Sequence, residues 1–293
     1  MILLPVVLQN SSDKRVGKII FSSNRDGNFE LYVYAMTDEG SQLQRLTNTP
    51  EDETSPAWSP DGTKIAYVLD RNAIYVSDSD GSNPVRLTPA GVYDDDPAWS
   101  PDGKRIAFSR EDVQLGSQIY VMNADGTDPR PITVHGNEHS DAINVEPSWS
   151  PDGKQIVFTA NRDVIWSGAG MPPLGIYLMQ ADGTQRQLLF GGDSSIGNAD
   201  WSPVTPTIIF QAPDVEQGLI SIQTDGSQLM SVLEDDKAAN PSWSPDGTKI
   251  VFQYDNNIAL ANADGSHLFF ITHSSPGVLN LDPDWIVVNN DNP

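Results

Sequence analysis

The sequence predicts an all-β fold, a six-bladed β-propeller with four antiparallel strands per blade, and three observations predict it. A Trp in a Trp-Ser-Pro or Pro-x-Trp setting recurs at Trp58, Trp99, Trp149, Trp201, Trp243 and Trp285, at intervals of 41, 50, 52, 42 and 42 residues. Each interval holds several short apolar runs separated by turn residues, and no stretch sustains a 3.6-residue apolar period. A fixed period of this length, filled with four strands, is the unit of a propeller blade.

The elements of the repeat follow in order. Strand A ends at the Trp. A turn then reads Ser-Pro-Asp-Gly-Lys or Ser-Pro-Asp-Gly-Thr-Lys in four copies, at residues 59–64, 100–104, 150–154 and 244–249. Pro presets φ, Asp bonds to nearby backbone, and Gly supplies the positive φ that closes a tight hairpin. Strand B follows as Lys64-Ile-Ala-Tyr67, Lys104-Arg-Ile-Ala-Phe108, Lys154-Gln-Ile-Val-Phe158 and Lys249-Ile-Val-Phe252. Strand C reads Ile119-Tyr-Val-Met before Asp125-Gly126, with copies starting at Ile74, Ile176, Leu219 and Ile258. Strand D reads Arg130-Pro-Ile-Thr133 and its relatives. The fifth repeat departs from the rule, with Trp201-Ser-Pro-Val-Thr-Pro-Thr207 in place of Asp-Gly-Lys, which reads as a drifted turn.

Counting strands shows how the ring closes. B strands end at Phe21, Tyr67, Phe108, Phe158, Phe210 and Phe252, but no Trp strand precedes Lys18-Ile-Ile-Phe21 and no B strand follows Trp285. Pro283-Asp-Trp-Ile-Val-Val288 is therefore expected to serve as the A strand of the blade formed by residues 17–47, which removes both open edges. The expected organisation is a leader or trimmed export stub over 1–16, the propeller over 17–288 and a tail over 289–293. Met1-Ile-Leu-Leu-Pro-Val-Val-Leu8 is too short an apolar run to span a bilayer.

Composition narrows the function. Of the 293 residues 38% are hydrophobic, enough for a core. Lys and Arg number 17 against 40 Asp and Glu, a formal charge of -23, which disfavours nucleic acid and anionic lipid and favours a cationic partner or a divalent ion. The absence of cysteine excludes disulfides, thiolate metal sites and thiol nucleophiles.

The string Phe21-Ser-Ser-Asn-Arg-Asp-Gly-Asn-Phe-Glu-Leu-Tyr-Val33, with the repeated Trp-Ser-Pro-Asp-Gly-Lys, resembles the propeller repeat of the TolB-like family over residues 17–288. The resemblance implies a protein-binding platform with a central channel and a periplasmic or extracellular setting in the bacterial envelope. Nothing in the sequence resembles that family's N-terminal α/β domain, so a stand-alone propeller is expected, acting as a monomer.

Strand order places the Ser-Pro-Asp-Gly and Asp-Gly turns on one face, and the B-to-C loops and D-to-A crossovers on the other. Binding residues tend to sit on variable loops held by a rigid scaffold. The residue three before each Trp is expected at the channel mouth: Ser55, Asp96, Glu146, Asn198, Asn240 and Asp282. Asp94, Asp95, Glu51, Asp52 and Glu53 are expected to add negative potential there. The 161–175 loop, with Trp166 and Met171, reads as a partner-binding lip or as a flap packed on the next blade.

Oxygen ligands of this kind suit Ca²⁺, either bound in the channel or replaced by a merely solvated acidic lining. Asn24-Arg-Asp-Gly-Asn-Phe-Glu30 only faintly echoes a calcium loop, and His135 and His139 lie on a crossover that reads as loop, where a metal signal is weak. No nucleophile elbow occurs, since Gly192-Asp-Ser-Ser-Ile196 misses the spacing, so no catalytic residue is assigned. Two functions follow: a non-catalytic protein- or peptide-binding scaffold, or alternatively a cation-dependent carbohydrate-active lyase or hydrolase working in the acidic channel.

Overall fold

The computed structural model describes residues 15–37, 40–112, 114–133, 142–161, 173–192, 195–213 and 218–289. Its first blade consists of β1 (Arg15–Ser23), β2 (Glu30–Thr37), β3 (Gly40–Arg45) and, from the far end of the chain, β24 (Asn280–Asn289), in the order β24-β1-β2-β3. The other five blades are consecutive: β4–β7 from β4 (Glu53–Trp58), β8–β11 from β8 (Tyr93–Trp99), β12–β15 from β12 (Asn144–Trp149), β16–β19 from β16 (Gly197–Trp201) and β20–β23 from β20 (Ala238–Trp243). All pairings are antiparallel, and Ile19 lies opposite Trp285 across the closing pair. The closure expected from the unmatched Trp285 is the one observed.

The A strands contact one another in ring order and so line the axis. Between blades, the B and C strands supply a continuous apolar filling. The B-strand aromatics Phe21, Phe108, Phe158, Phe210 and Phe252 are fully buried, as are Ile19, Ile65, Ile106 and Ile119. Burial of one such side chain contributes roughly 1.5–3 kcal/mol.

The turns show why the repeat is spelled as it is. In the first, Ser59 Oγ donates to Asp61 Oδ1 at 2.7 Å and accepts from Lys64 N at 2.9 Å, while Gly62 takes φ +70°. A Cβ on Gly62 would meet Val288 of the preceding blade at 2.5 Å, so the turn also needs the glycine's missing side chain. The drifted fifth turn keeps this contact in reverse: Val204 fills the space against Gly247 of the next blade. The terminal Thr of the D strand has a role not foreseen from its spelling. Thr47, Thr88, Thr133 and Thr272 hydroxyls accept the leading N–H of the adjacent C strands, from Leu31, Ile74, Ile119 and Ile258, at 2.8–3.0 Å.

Candidate functional site at the channel mouth

The six residues expected at the channel mouth share a conformation. Ser55, Asp96, Glu146, Asn198, Asn240 and Asp282 all take positive φ, between 47° and 57°. In each case a register shift marks a bulge: between Thr54 and Ala57, Asp95 and Ala98, Val145 and Ser148, Gly197 and Asp200, and Ala239 and Ser242, and in β24 between the partners of Ile20 and Ser22. A bulge re-aims a side chain. Asn and Asp tolerate the left-handed region better than other non-glycine residues, and four of the six positions carry them.

Hydrogen bonds join these bulges into a belt that crosses every blade junction. The Ser55 N–H donates to the Asp282 carboxylate, and Ser55 Oγ donates to Asp95 Oδ1 at 2.7 Å. Ser109 Oγ donates to Asp96 Oδ2 at 2.9 Å and accepts from Glu146 N at 3.1 Å. Glu146 Oε2 accepts from Asn198 N at 2.6 Å and from Thr159 Oγ1 at 2.6 Å. Gln211 Oε1 accepts from Asn240 N at 3.1 Å, and Asn240 Nδ2 donates to Asp282 Oδ1 at 2.7 Å, which completes the circle.

A second level lies one turn of the pleat deeper, at the residue before each Trp. Four blades place Ala57, Ala98, Ser148 or Ser242 there, and two place Asp200 and Asp284. Asp200 accepts from Ser148 Oγ at 3.0 Å and Trp243 N at 2.9 Å, so it ties three blades together. Asp284 does the same through Ser242 Oγ at 3.4 Å and Trp58 N at 2.7 Å.

The A strands carry eight carboxylates and no Lys, Arg or His. Two of the eight are withdrawn from the channel, which corrects the sequence expectation for them. Asp94 is fully buried and held by Arg110 through a two-pronged contact at 2.6 and 2.8 Å, and Glu53 is buried beneath the crossover. Asp95, Asp96, Glu146, Asp200, Asp282 and Asp284 remain. Enclosure by protein pushes Asp96 well above the usual carboxylate range, and the charges of Asp95, Glu146 and Asp282 add to it. Enclosure likewise raises Glu146 and Asp200, and lifts Asp282 and Asp284 to about 6. Asp96, Glu146 and Asp282 still keep part of their surface in channel water. Among the described residues the mouth is thus a ring of acids on strands that carry no Lys, Arg or His.

The Asp94–Arg110 pair anchors this ring from behind. Arg110 also lies over the Tyr120 ring at 4.7 Å. We expect Arg110→Ala to cost about 3–5 kcal/mol in urea unfolding, because it leaves Asp94 buried and unpaired. The double variant Asp94→Asn with Arg110→Met should recover part of that loss.

Other sequence candidates fare differently. Trp166, Met171, His135 and His139 lie outside the described residues. His267 and His273 are exposed. Ser266 Oγ lies 3.1 Å from His267 Nδ1, but Ser266 donates to Asp264, so this exposed turn is no nucleophile and base pair. Among the described residues no three His, Asp or Glu side chains converge in a metal-binding arrangement, and no helix is long and apolar enough to cross a membrane.

The chain matches the family model described as the TolB beta propeller domain over residues 14–116 and 95–273. Among solved structures it is similar to TolB from Acinetobacter baumannii, at 21% identity and a TM-score of 0.69, over 92% of this chain and 66% of that one. It is similar to a putative TolB from Agrobacterium tumefaciens at 21% identity and a TM-score of 0.68, over 95% and 99% of the two chains. An oligogalacturonate lyase from Vibrio parahaemolyticus shares the fold at 12% identity and a TM-score of 0.56, over 88% and 75%. The chain thus spans just under two thirds of the Acinetobacter TolB. With six blades, the repeated Trp-Ser-Pro-Asp-Gly turn and a family match across most of its length, the protein belongs to the TolB β-propeller domain family.

Proposed function

We propose that the channel mouth binds a positively charged protein or peptide segment, without catalysing a reaction on it, in the periplasm or outside the cell. The observation that supports this reading is the set of six channel carboxylates on strands that carry no cationic side chain. An incoming Lys, Arg or amino terminus supplies a counter-charge, and the rigid belt presents the acids with little reorganisation on binding. Family membership supports a scaffold at the cell envelope, and the proposal has it act as a monomer. The alternative of a cation-dependent lyase or hydrolase has no comparable support, because a shared fold does not carry a shared chemistry. A Ca²⁺ ion at the mouth would relieve the same repulsion as a cationic ligand and is the subsidiary form of this proposal.

Oligolysine is expected to bind and oligoglutamate of equal length to be ignored. Its affinity should fall as ionic strength rises. Replacing Asp96, Glu146 and Asp282 together by Asn, Gln and Asn should weaken oligolysine binding by at least about tenfold, as measured by fluorescence anisotropy. Equal binding by the triple variant would remove the mouth from consideration.

A further inference from the structure

A second acidic feature lies away from the channel, beneath the crossover between the first two blades. Glu30 opens β2 and Glu53 opens β4, and their side chains are 0% and 1% exposed. Oε1 of Glu30 is served by Arg45 at 2.6 Å and by Thr49 N at 3.1 Å, and Oε1 of Glu53 by Thr49 Oγ1 at 2.5 Å. Oε2 of each residue is buried without a hydrogen-bond partner at ordinary distance, and the nearby Thr47 hydroxyl is the one further group that acts on the Glu53 carboxyl. Thr49 bonds both carboxyls and holds them within hydrogen-bonding reach of each other; Arg45 offsets one of the two charges, and the other is left to a proton or a further cation.

The surrounding oxygens suit a cation. The Asn28 side-chain amide sits where oxygens from both loops converge: Thr49 O at 3.1 Å, Glu30 Oε1 at 3.3 Å, Phe29 O at 3.4 Å and Glu51 O closer still. An amide has two hydrogens for these four acceptors. Asn28 thus places a weak neutral donor among three backbone carbonyls and the Glu30 carboxylate, whose Oε1 Arg45 also serves. It is itself partly exposed, as is Thr49, so the side chain forms a plug between the buried pair and solvent. Rotation of the amide would bring its own oxygen into this cluster.

We propose that Glu30, Glu53, Asn28 and the carbonyls of Thr49 and Glu51 form a Ca²⁺ site that pins the first B-to-C loop to the following crossover. Hard oxygen ligands from carboxylate, amide and backbone are what Ca²⁺ selects, and its tolerance of irregular geometry suits a site shared between two loops. Ordered in this way, the loop and crossover would hold one side of the channel mouth. The site is independent of the channel and of the reading given for it.

Calorimetric titration of the full chain with CaCl₂ at pH 7.5, together with thermal unfolding, tests the assignment. Wild type should bind with a dissociation constant on the order of 0.1–1 mM, as extracellular calcium modules do, and melt higher with Ca²⁺. Glu53→Gln should weaken binding at least tenfold, whereas Asp236→Asn, on an exposed turn remote from both acidic sites, should leave this binding unchanged. Asn28→Asp converts the plug into a ligand and should tighten binding about tenfold, a gain that no folding defect can mimic. The proposal is overturned if wild type does not bind Ca²⁺, in which case the pair holds a proton only. It is also overturned if binding survives in Glu53→Gln but disappears in Asp282→Asn, which would move the ion to the channel.

Discussion

Between pH 8 and pH 5 the protein is expected to become more stable as acid is added. Asp282 and Asp284 reach about 6 in the folded chain against 3.8 when free, mainly through enclosure by protein and then through neighbouring carboxylates. A raised folded value means that the folded state takes up protons before the unfolded state does. Stability therefore rises as pH falls through 6, and the gain is complete near 4. For one such group the ceiling is about 3 kcal/mol, and channel water lowers it. Asp96, Glu146 and Asp200 shift in the same direction. For the set we expect a gain on the order of 2–4 kcal/mol, or roughly 3–7 °C in melting temperature.

Below pH 4 the trend should reverse. Asp61, Asp102 and Asp152 are held below their ordinary values, first by the hydroxyls of Ser59, Ser100 and Ser150. What they contribute is present above about pH 4 and is lost as they protonate. Calorimetric scans at pH 8, 6.5, 5 and 3 would display the maximum. Asp96→Asn mimics the neutral acid at a position where Asn198 and Asn240 already show that Asn is accepted, so it should raise the pH 8 melting temperature and flatten the profile. A melting temperature that falls steadily from pH 8 to 5 would contradict the account of the channel.

Removing residues 281–293 is expected to abolish the native fold. The truncation strips β24 from β1 and bares an edge beside Ile19, Ile20 and Phe21, all fully buried in the intact chain. It also breaks the belt at Asp282 and the tie that Asp284 makes between Ser242 and Trp58. An open edge next to exposed apolar side chains is a template for aggregation. A circular permutant that carries residues 278–289 ahead of β1 should fold and melt close to wild type, because it holds the same contacts with a different break. If the truncated chain stayed monomeric with native circular dichroism, closure would not be what stabilises this ring.

The fold was legible because its information is local and repeated. Pro-x-Trp, Ser-Pro-Asp-Gly and Lys-x-Ile-x-Phe each spell a turn or a half-buried strand within a few residues, and six copies make the period plain. The same spacing argument selected Ser55, Asp96, Glu146, Asn198, Asn240 and Asp282, which share one backbone conformation. Their shared left-handed conformation had a trace in the sequence, the preference for Asn and Asp, but Ser55 and Glu146 obscure it. The withdrawal of Asp94 and Glu53 was not legible. Asp94 is neutralised by Arg110, 16 residues away on the neighbouring strand, and nothing in the Tyr-Asp-Asp-Asp-Pro string distinguishes it from Asp95.

By itself, then, the sequence determined the number of blades, the strand order within each, the partner of the orphan Trp285 and the acidic character of the axis. All of these follow from short-range turn chemistry and from counting. Only the tertiary structure decided which carboxylates remain unpaired, that bulges aim them into one belt, and that Glu30 and Glu53 meet 23 residues apart beneath a crossover. Such facts depend on which side chains close packing brings within a few ångströms, because a carboxylate's role is set by the donor or charge it meets and not by its neighbours in the chain.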